Sequence, residues 1–147
     1  MKNIFQTLTA SLVVCLMIVV SSCQKDSTTA PADESLATGE IAYKQPKPGL
    51  YMITKFIDTG DDETAQFNGY TFEFQADHDL IATTSTGAVF TGSWALNSAE
   101  TIMTLNISGN AALNDLDDDN WKVVKITNMK INIRKNGPDV VHFQMIP

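Results

Sequence analysis

From Phe67 to Leu96 apolar and polar residues alternate with period two, and short polar turns interrupt the alternation. Tyr70, Phe72 and Phe74 share one face, with Thr71, Glu73 and Gln75 opposite. Asp77-His78-Asp79 turns the chain, Leu80 to Thr84 forms the next strand, and Ser85-Thr86-Gly87 turns it again. Val89 to Leu96 follows, with Phe90, Gly92, Trp94 and Leu96 on one side and Thr91, Ser93 and Ala95 on the other. This pattern predicts a β-meander with one buried face. A glycine inside such a strand signals that a neighbouring backbone or ring approaches closely at Gly92.

The same reading extends in both directions. Gly49 to Ile57 is a strand that is apolar on both faces in places, which predicts a bulge or cover on both sides. Asp58 to Glu63 is an acidic loop. Thr101 to Ile107 points Met103, Leu105 and Ile107 inward. A longer connection, Ser108 to Asn120, carries Leu113 and Leu116 at a spacing that suits one helical turn near 111–118. Trp121 to Thr127, Met129 to Arg134 and Val140 to Ile146 complete eight strands, the last two joined by an Asn136-Gly137 hairpin signal. Short strands joined mostly by tight turns predict an all-β, antiparallel eight-stranded meander, closed as a small barrel or flattened sandwich. Closure removes the edge strands that a small β domain must otherwise protect.

The N-terminus departs from this pattern. Lys2 is followed by an apolar run from Leu8 to Val20, too short for a bilayer span of roughly 20 residues. It ends in Val20-Ser21-Ser22-Cys23. A charged start, an apolar run and small residues describe a secretion signal. The ending resembles the lipobox of bacterial lipoproteins, and the resemblance implies cleavage before Cys23 and a diacylglycerol and N-acyl chain on its thiol and amine. Several acyl chains anchor stably where one is marginal, since each buried CH₂ adds about 0.8 kcal/mol. Gln24-Lys25-Asp26 resembles the surface-export signal of Bacteroidota lipoproteins, although Ser27 stands where a second acidic residue is common. Asp26-Ser27-Thr28 also resembles the O-glycosylation sequon of that group. Residues 23–48, with Ser27-Thr28-Thr29-Ala30-Pro31 and Gln45-Pro46-Lys47-Pro48, read as an extended tether. Ile41 and Tyr43 either form a short strand or pack on the domain. The chain thus divides into a signal peptide (1–22), a lipidated tether (23–48) and a β domain (49–147).

The aromatic strand, the Asp77 turn, Leu80-Ile81-Ala82-Thr83, Gly92-Ser93-Trp94 and Met103-Thr104-Leu105 together resemble the lipocalin-like domains of bacterial outer-membrane lipoproteins. The likeness runs from Gly49 to about Trp121. Two departures stand out: His78-Asp79 replaces the glycine usual after the turn aspartate, and Tyr51 stands where the first strand would place tryptophan. The resemblance implies a barrel whose interior can take a small apolar or amphipathic molecule.

Composition narrows the chemistry. A net charge of −7 and a pI near 4.6 argue against nucleic acid, whose phosphates an acidic chain repels. Tyr51, Tyr70, Phe72, Phe74, Trp94 and Trp121 are candidate pocket-lining residues, and the competing reading of the same rings is a packed core. The acidic runs at 58–63 and 114–120 lack the EF-hand spacing and read as solvated turns. His78 and His142 are the two histidines, without zinc-site spacing, and neither a nucleophile elbow nor a phosphate loop occurs. The sequence therefore predicts no catalytic residues, no metal and no cofactor beyond the lipid on Cys23. It predicts a monomeric, membrane-anchored lipoprotein of the outer membrane, cell-surface exposed, with the periplasmic face as the alternative. The function it predicts is binding or carriage of a small apolar or amphipathic ligand. The alternative is a surface-displayed module with a packed core that recognises protein or glycan.

Overall fold

The structure is a computed structural model that describes residues 40–147. The signal peptide, Cys23 and Gln24-Lys25-Asp26 lie outside the described residues.

Among the described residues nine antiparallel strands run in chain order: β1 (Gly49–Asp58), β2 (Asp61–Asp62), β3 (Thr71–Phe74), β4 (Asp79–Thr83), β5 (Val89–Leu96), β6 (Ile102–Asn106), β7 (Asp118–Ile126), β8 (Lys130–Arg134) and β9 (Val140–Met145). Each of β3 to β9 pairs with its neighbour in sequence, and β1 pairs with both β3 and β9. The eight longer strands therefore close into an up-and-down barrel, and the flattened-sandwich alternative falls away. The two-residue β2 folds back on the end of β1 inside the acidic run, through Ile57 opposite Asp62.

Three register shifts shape the cylinder. On β1 the shift between Ile53 and Lys55 leaves Thr54 and Lys55 both exposed and returns Phe56 to the interior. Of the two readings that the two-faced apolar pattern leaves open, a bulge or cover on both sides, this is the bulge. On β7 a shift between Val123 and Lys125 exposes Val124 at 58% and restores Ile126 to the inside. A third, between Met103 and Leu105 opposite Trp121 and Asp118, lets β7 begin at Asp118. Asp118 to Asn120 are strand residues, not the solvated connection their charge suggests. The strand can hold them because Asp119 and Asn120 face solvent and Asp118 pairs with Lys135 at 3.0 Å.

One barrel end is built over by two short elements. A 3-10 turn, Thr64–Phe67, drives Phe67 into the interior. Helix α1 (Ala111–Leu116) buries Leu113 and Leu116 fully. Asn110 caps α1 by accepting the Leu113 N–H on its side-chain oxygen, while its amide nitrogen donates to the Tyr70 hydroxyl at 3.2 Å. Gly109 lies against the Phe90 ring, so close that a β-carbon there would overlap it. Gly92 sits against the backbone of Asn106 and Ile107. The close approach that a mid-strand glycine signals is thus to backbone.

The opposite end carries the β3–β4, β5–β6 and β7–β8 turns and the segment that leads into β1. That segment, 40–48, lies against the barrel, so the described part of the tether is held to the domain. Pro46 is buried, and the Lys47 carbonyl accepts the Tyr51 hydroxyl at 2.7 Å. Ala42 bridges to Thr127.

Candidate functional site

The six aromatic residues that the sequence offers as a pocket are brought together only in part. Phe74 is the hub: its ring lies 5.3 Å from Tyr51, 5.3 Å from Phe143 and 6.0 Å from Trp94. Phe72 joins through Phe143 at 5.5 Å and Phe67 at 6.0 Å. Most of these contacts are edge-to-face or tilted, the arrangement that aromatic quadrupoles prefer and that adds about 0.5–1.5 kcal/mol per pair. Tyr70 lies at the lidded end, half-buried, stacked on Phe72 at 6.2 Å. Trp121 stands apart from the other rings; its indole N–H donates to the Leu116 carbonyl at 3.0 Å, and the Lys135 ammonium sits 4.6 Å over its ring. Phe67, Phe56 and Phe143 belong to the same cluster although the pocket assignment omits them. Polar handles in this interior are satisfied by backbone: Tyr51 through Lys47, Trp94 through the Gln75 carbonyl at 3.2 Å. Burial pushes the Tyr51 hydroxyl up to about 12, although its hydrogen bond to the Lys47 carbonyl is retained.

His78 is placed where the sequence puts it, exposed in the turn at the second end. Its backbone adopts φ 75°, the left-handed region that ordinarily goes to glycine and costs other residues about 1–2 kcal/mol. Two contacts offset that cost: its carbonyl accepts the Trp94 N–H at 2.9 Å, and its ring lies 4.6 Å from the Trp94 ring. His78 therefore acts as a cap on Trp94. His142 lies on β9, opposite Lys55 and Asn132 and half-buried. Among the described residues no group of three or more His, Cys, Asp or Glu converges as metal ligands would. Among them, too, no helix is long and apolar enough to cross a membrane.

The constellation that sequence reasoning misses lies where the tether meets β7. Strand β6 begins at Ile102, and the last link from β7 to that side is the Val123 N–H to the Thr101 carbonyl at 2.9 Å. Beyond Val123, one edge of β7 is free of β6, and residues 41–43 meet its far end through one bridge, Ala42 opposite Thr127. The Tyr43 N–H donates to the Ile126 carbonyl at 2.9 Å, the Asn128 N–H to the Ile41 carbonyl at 3.0 Å, and the Ile41 N–H to Asn128 Oδ1 at 2.9 Å. At the head of this strap Glu40 enters a cationic niche. Its side chain is 7% exposed, with Oε1 2.7 Å from Lys130 Nζ and Oε2 3.6 Å from Lys125 Nζ. Among the described residues Oε2 has the Lys125 ammonium as its charged neighbour, just beyond ordinary hydrogen-bond length. The hydrogen bond from Lys130, aided by the charge of both lysines, outweighs desolvation and holds the Glu40 carboxyl below the usual carboxylate range. On the other side of the strap Lys44 reaches Glu100 at 3.7 Å, an exposed pair of little energetic weight. Ile41 and Tyr43 remain 61% and 43% exposed, so the strap is held by backbone and charge and hardly by apolar burial. The only signal in the sequence is the short alternation Glu40-Ile41-Ala42-Tyr43, which does not reveal its partners.

No family model and no curated protein matches the chain. Among solved structures, a DUF4847 family protein from Bacteroides vulgatus ATCC 8482 is similar at 12% identity and a TM-score of 0.48, covering 66% of this chain and 92% of that one. An uncharacterized protein from Bacteroides eggerthii DSM 20697 is similar at 18% identity and a TM-score of 0.47, covering 67% and 98%.

Proposed function

We propose that this chain is a membrane-anchored lipoprotein whose barrel is a packed interaction module that recognises a protein partner, displayed at the outer surface and without enzymatic activity. The observation that carries this reading over ligand carriage is the Phe74 hub. The rings suited to line a pocket touch one another instead, with Phe74 against Tyr51, Trp94 and Phe143. An eight-stranded barrel has room for either its own side chains or one small ligand, and here large side chains occupy that space. At the lidded end Phe67, Leu113 and Leu116 are buried as well.

Anchoring rests on Val20-Ser21-Ser22-Cys23, and surface display on Gln24-Lys25-Asp26. Native mass spectrometry of protein taken from its own membrane tests the packed-module reading. It should show the acylated chain without a further small molecule, and a stoichiometric apolar ligand would overturn the reading. Replacing Cys23 with Ala should abolish labelling by a palmitate analogue. Protease treatment of intact cells should remove the barrel; complete protection would place it on the periplasmic face. Binding to immobilised glycans in place of protein would redirect the partner class.

A further inference from the structure

We propose that the stretch of β7 beyond Val123, together with Lys125 and Lys130, is a strand-acceptor site for an extended peptide bearing a carboxylate. Residues 40–43 occupy it as an exchangeable strap, which the same segment of a second copy of this chain can replace. The proposal depends on neither the lipid anchor nor the packed interior.

Four observations combine. β6 begins late, so β7 from Val124 onward has a backbone edge that the barrel itself does not pair. An unfilled edge of that kind is a template for any extended segment. The strap meets the end of that edge through one bridge, Ala42 opposite Thr127, with main-chain hydrogen bonds to the Ile126 carbonyl and from the Asn128 N–H just past β7, and such bonds are blind to side-chain identity. Selectivity then falls to the one strap side chain that is taken in, Glu40, whose carboxylate sits between Lys130 and Lys125. Finally, the apolar side chains of the strap stay outside: Ile41 and Tyr43, beside exposed Val124, contribute little that would hold it in place.

The hinge is suited to exchange. Gln45-Pro46-Lys47-Pro48 follows the strap, and the prolines keep that stretch extended whether the strap is bound or free. The contacts of the hinge itself, the burial of Pro46 and the Tyr51 hydroxyl to the Lys47 carbonyl, lie on the barrel side and survive detachment. A detached strap presents Glu40-Ile41-Ala42-Tyr43 to the vacant edge of another copy, which matches it by construction. This is the exchange of an identical element that produces low-cost dimers.

The test uses amide hydrogen exchange on the full chain. Tyr43 and Asn128 report the strap–β7 pairing from its two sides, and Val123, bonded to Thr101, reports the neighbouring β6–β7 pairing. Replacing Glu40 with Gln should speed exchange at Tyr43 and Asn128 together, by at least about tenfold, the loss expected for one charge-assisted hydrogen bond. Val123 should not change. A synthetic peptide of residues 39–45, which is the strap of a second copy cut free, is then added to the E40Q chain. It should restore protection at Asn128 while Tyr43 of the chain stays fast, and the same peptide carrying Gln for Glu40 should not. The proposal is overturned if E40Q leaves Tyr43 and Asn128 unchanged, or if Val123 accelerates equally, which would make the strap part of the global fold. Failure of the wild-type peptide to protect Asn128 would also overturn it.

Discussion

The Phe74 cluster and the strap at residues 40–43 are both built from alternating sequence, yet opposite forces hold them. In the cluster, Tyr51, Phe72, Phe74 and Phe143 are at most 1% exposed, and each buried ring contributes about 1.5–3 kcal/mol. In the strap, Ile41 and Tyr43 remain outside and the inward group is a carboxylate. Each backbone hydrogen bond there is worth about 1 kcal/mol net, while ordering each residue costs about 1–2 kcal/mol. The strap's three hydrogen bonds, about 3 kcal/mol together, fall short of the roughly 4–8 kcal/mol that ordering its four residues costs, so the strap depends on Glu40, while the cluster depends on no single polar contact. Alternation shows that a segment is extended with two unlike faces. Whether that makes it permanent depends on which face finds cover.

The largest effect that sharpens this contrast is Phe74→Ala. Removing the hub should cost about 3–5 kcal/mol in urea unfolding, since the rings around it cannot all collapse into the space. A loss below about 1 kcal/mol would mean that the interior is loose and would reopen ligand carriage. Next comes Gly92→Ala, whose β-carbon would collide with the Asn106 backbone. It should cost about 1–3 kcal/mol, read as a lower midpoint in the same unfolding curve, because backbone cannot move aside as a flexible side chain does.

Asn110→Ala removes the α1 cap and the bond to Tyr70 together. A loss of about 1–2 kcal/mol in thermal or urea unfolding is expected. The smallest global effect belongs to the strap. Glu40→Gln should leave the unfolding midpoint within about 0.5 kcal/mol of the parent, as surface changes do, while local pairing at Tyr43 and Asn128 loosens.

The strap also responds to pH, and the sign follows from the lowered Glu40 carboxyl. Its stabilisation is complete above the ordinary glutamate value of about 4.3 and is lost as pH falls through the lower folded value. Amide resonances of Ile41 and Asn128 should therefore titrate together, with a midpoint below the ordinary glutamate value. A midpoint at or above that value would show that Lys130 does not hold the carboxylate.

The sequence reads well wherever one strand decides its own geometry. Val89 to Leu96 is β5 to the residue, and the β1 bulge is one of the two readings, bulge or cover on both sides, that the pattern of Gly49 to Ile57 leaves open. The helical turn is legible from Leu113 and Leu116, since burial at that spacing needs a helix. The start of β7 is misread because three successive acidic or amide residues look like solvent-facing loop, and Lys135, distant in the chain, makes Asp118 acceptable in a strand. The aromatic pocket is half legible. The inward faces of β3 and β5 are right, but alternation cannot tell a ring that faces a void from one that faces another ring.

By itself the sequence determined the meander, the inward set and the order of pairing, because a pleated strand sends successive side chains to opposite faces and tight turns make consecutive strands neighbours. It also carries the N-terminal pattern ending at Cys23, which needs no fold to be read. Only the tertiary structure decided that the barrel closes through β1 and β9, that Phe74 meets Tyr51, Trp94 and Phe143, and that β6 begins late enough to leave the end of β7 an edge for residues 41–43. Glu40 and its two lysines lie in distant parts of the chain. Closure of the cylinder brings them together, so no local pattern could encode their meeting.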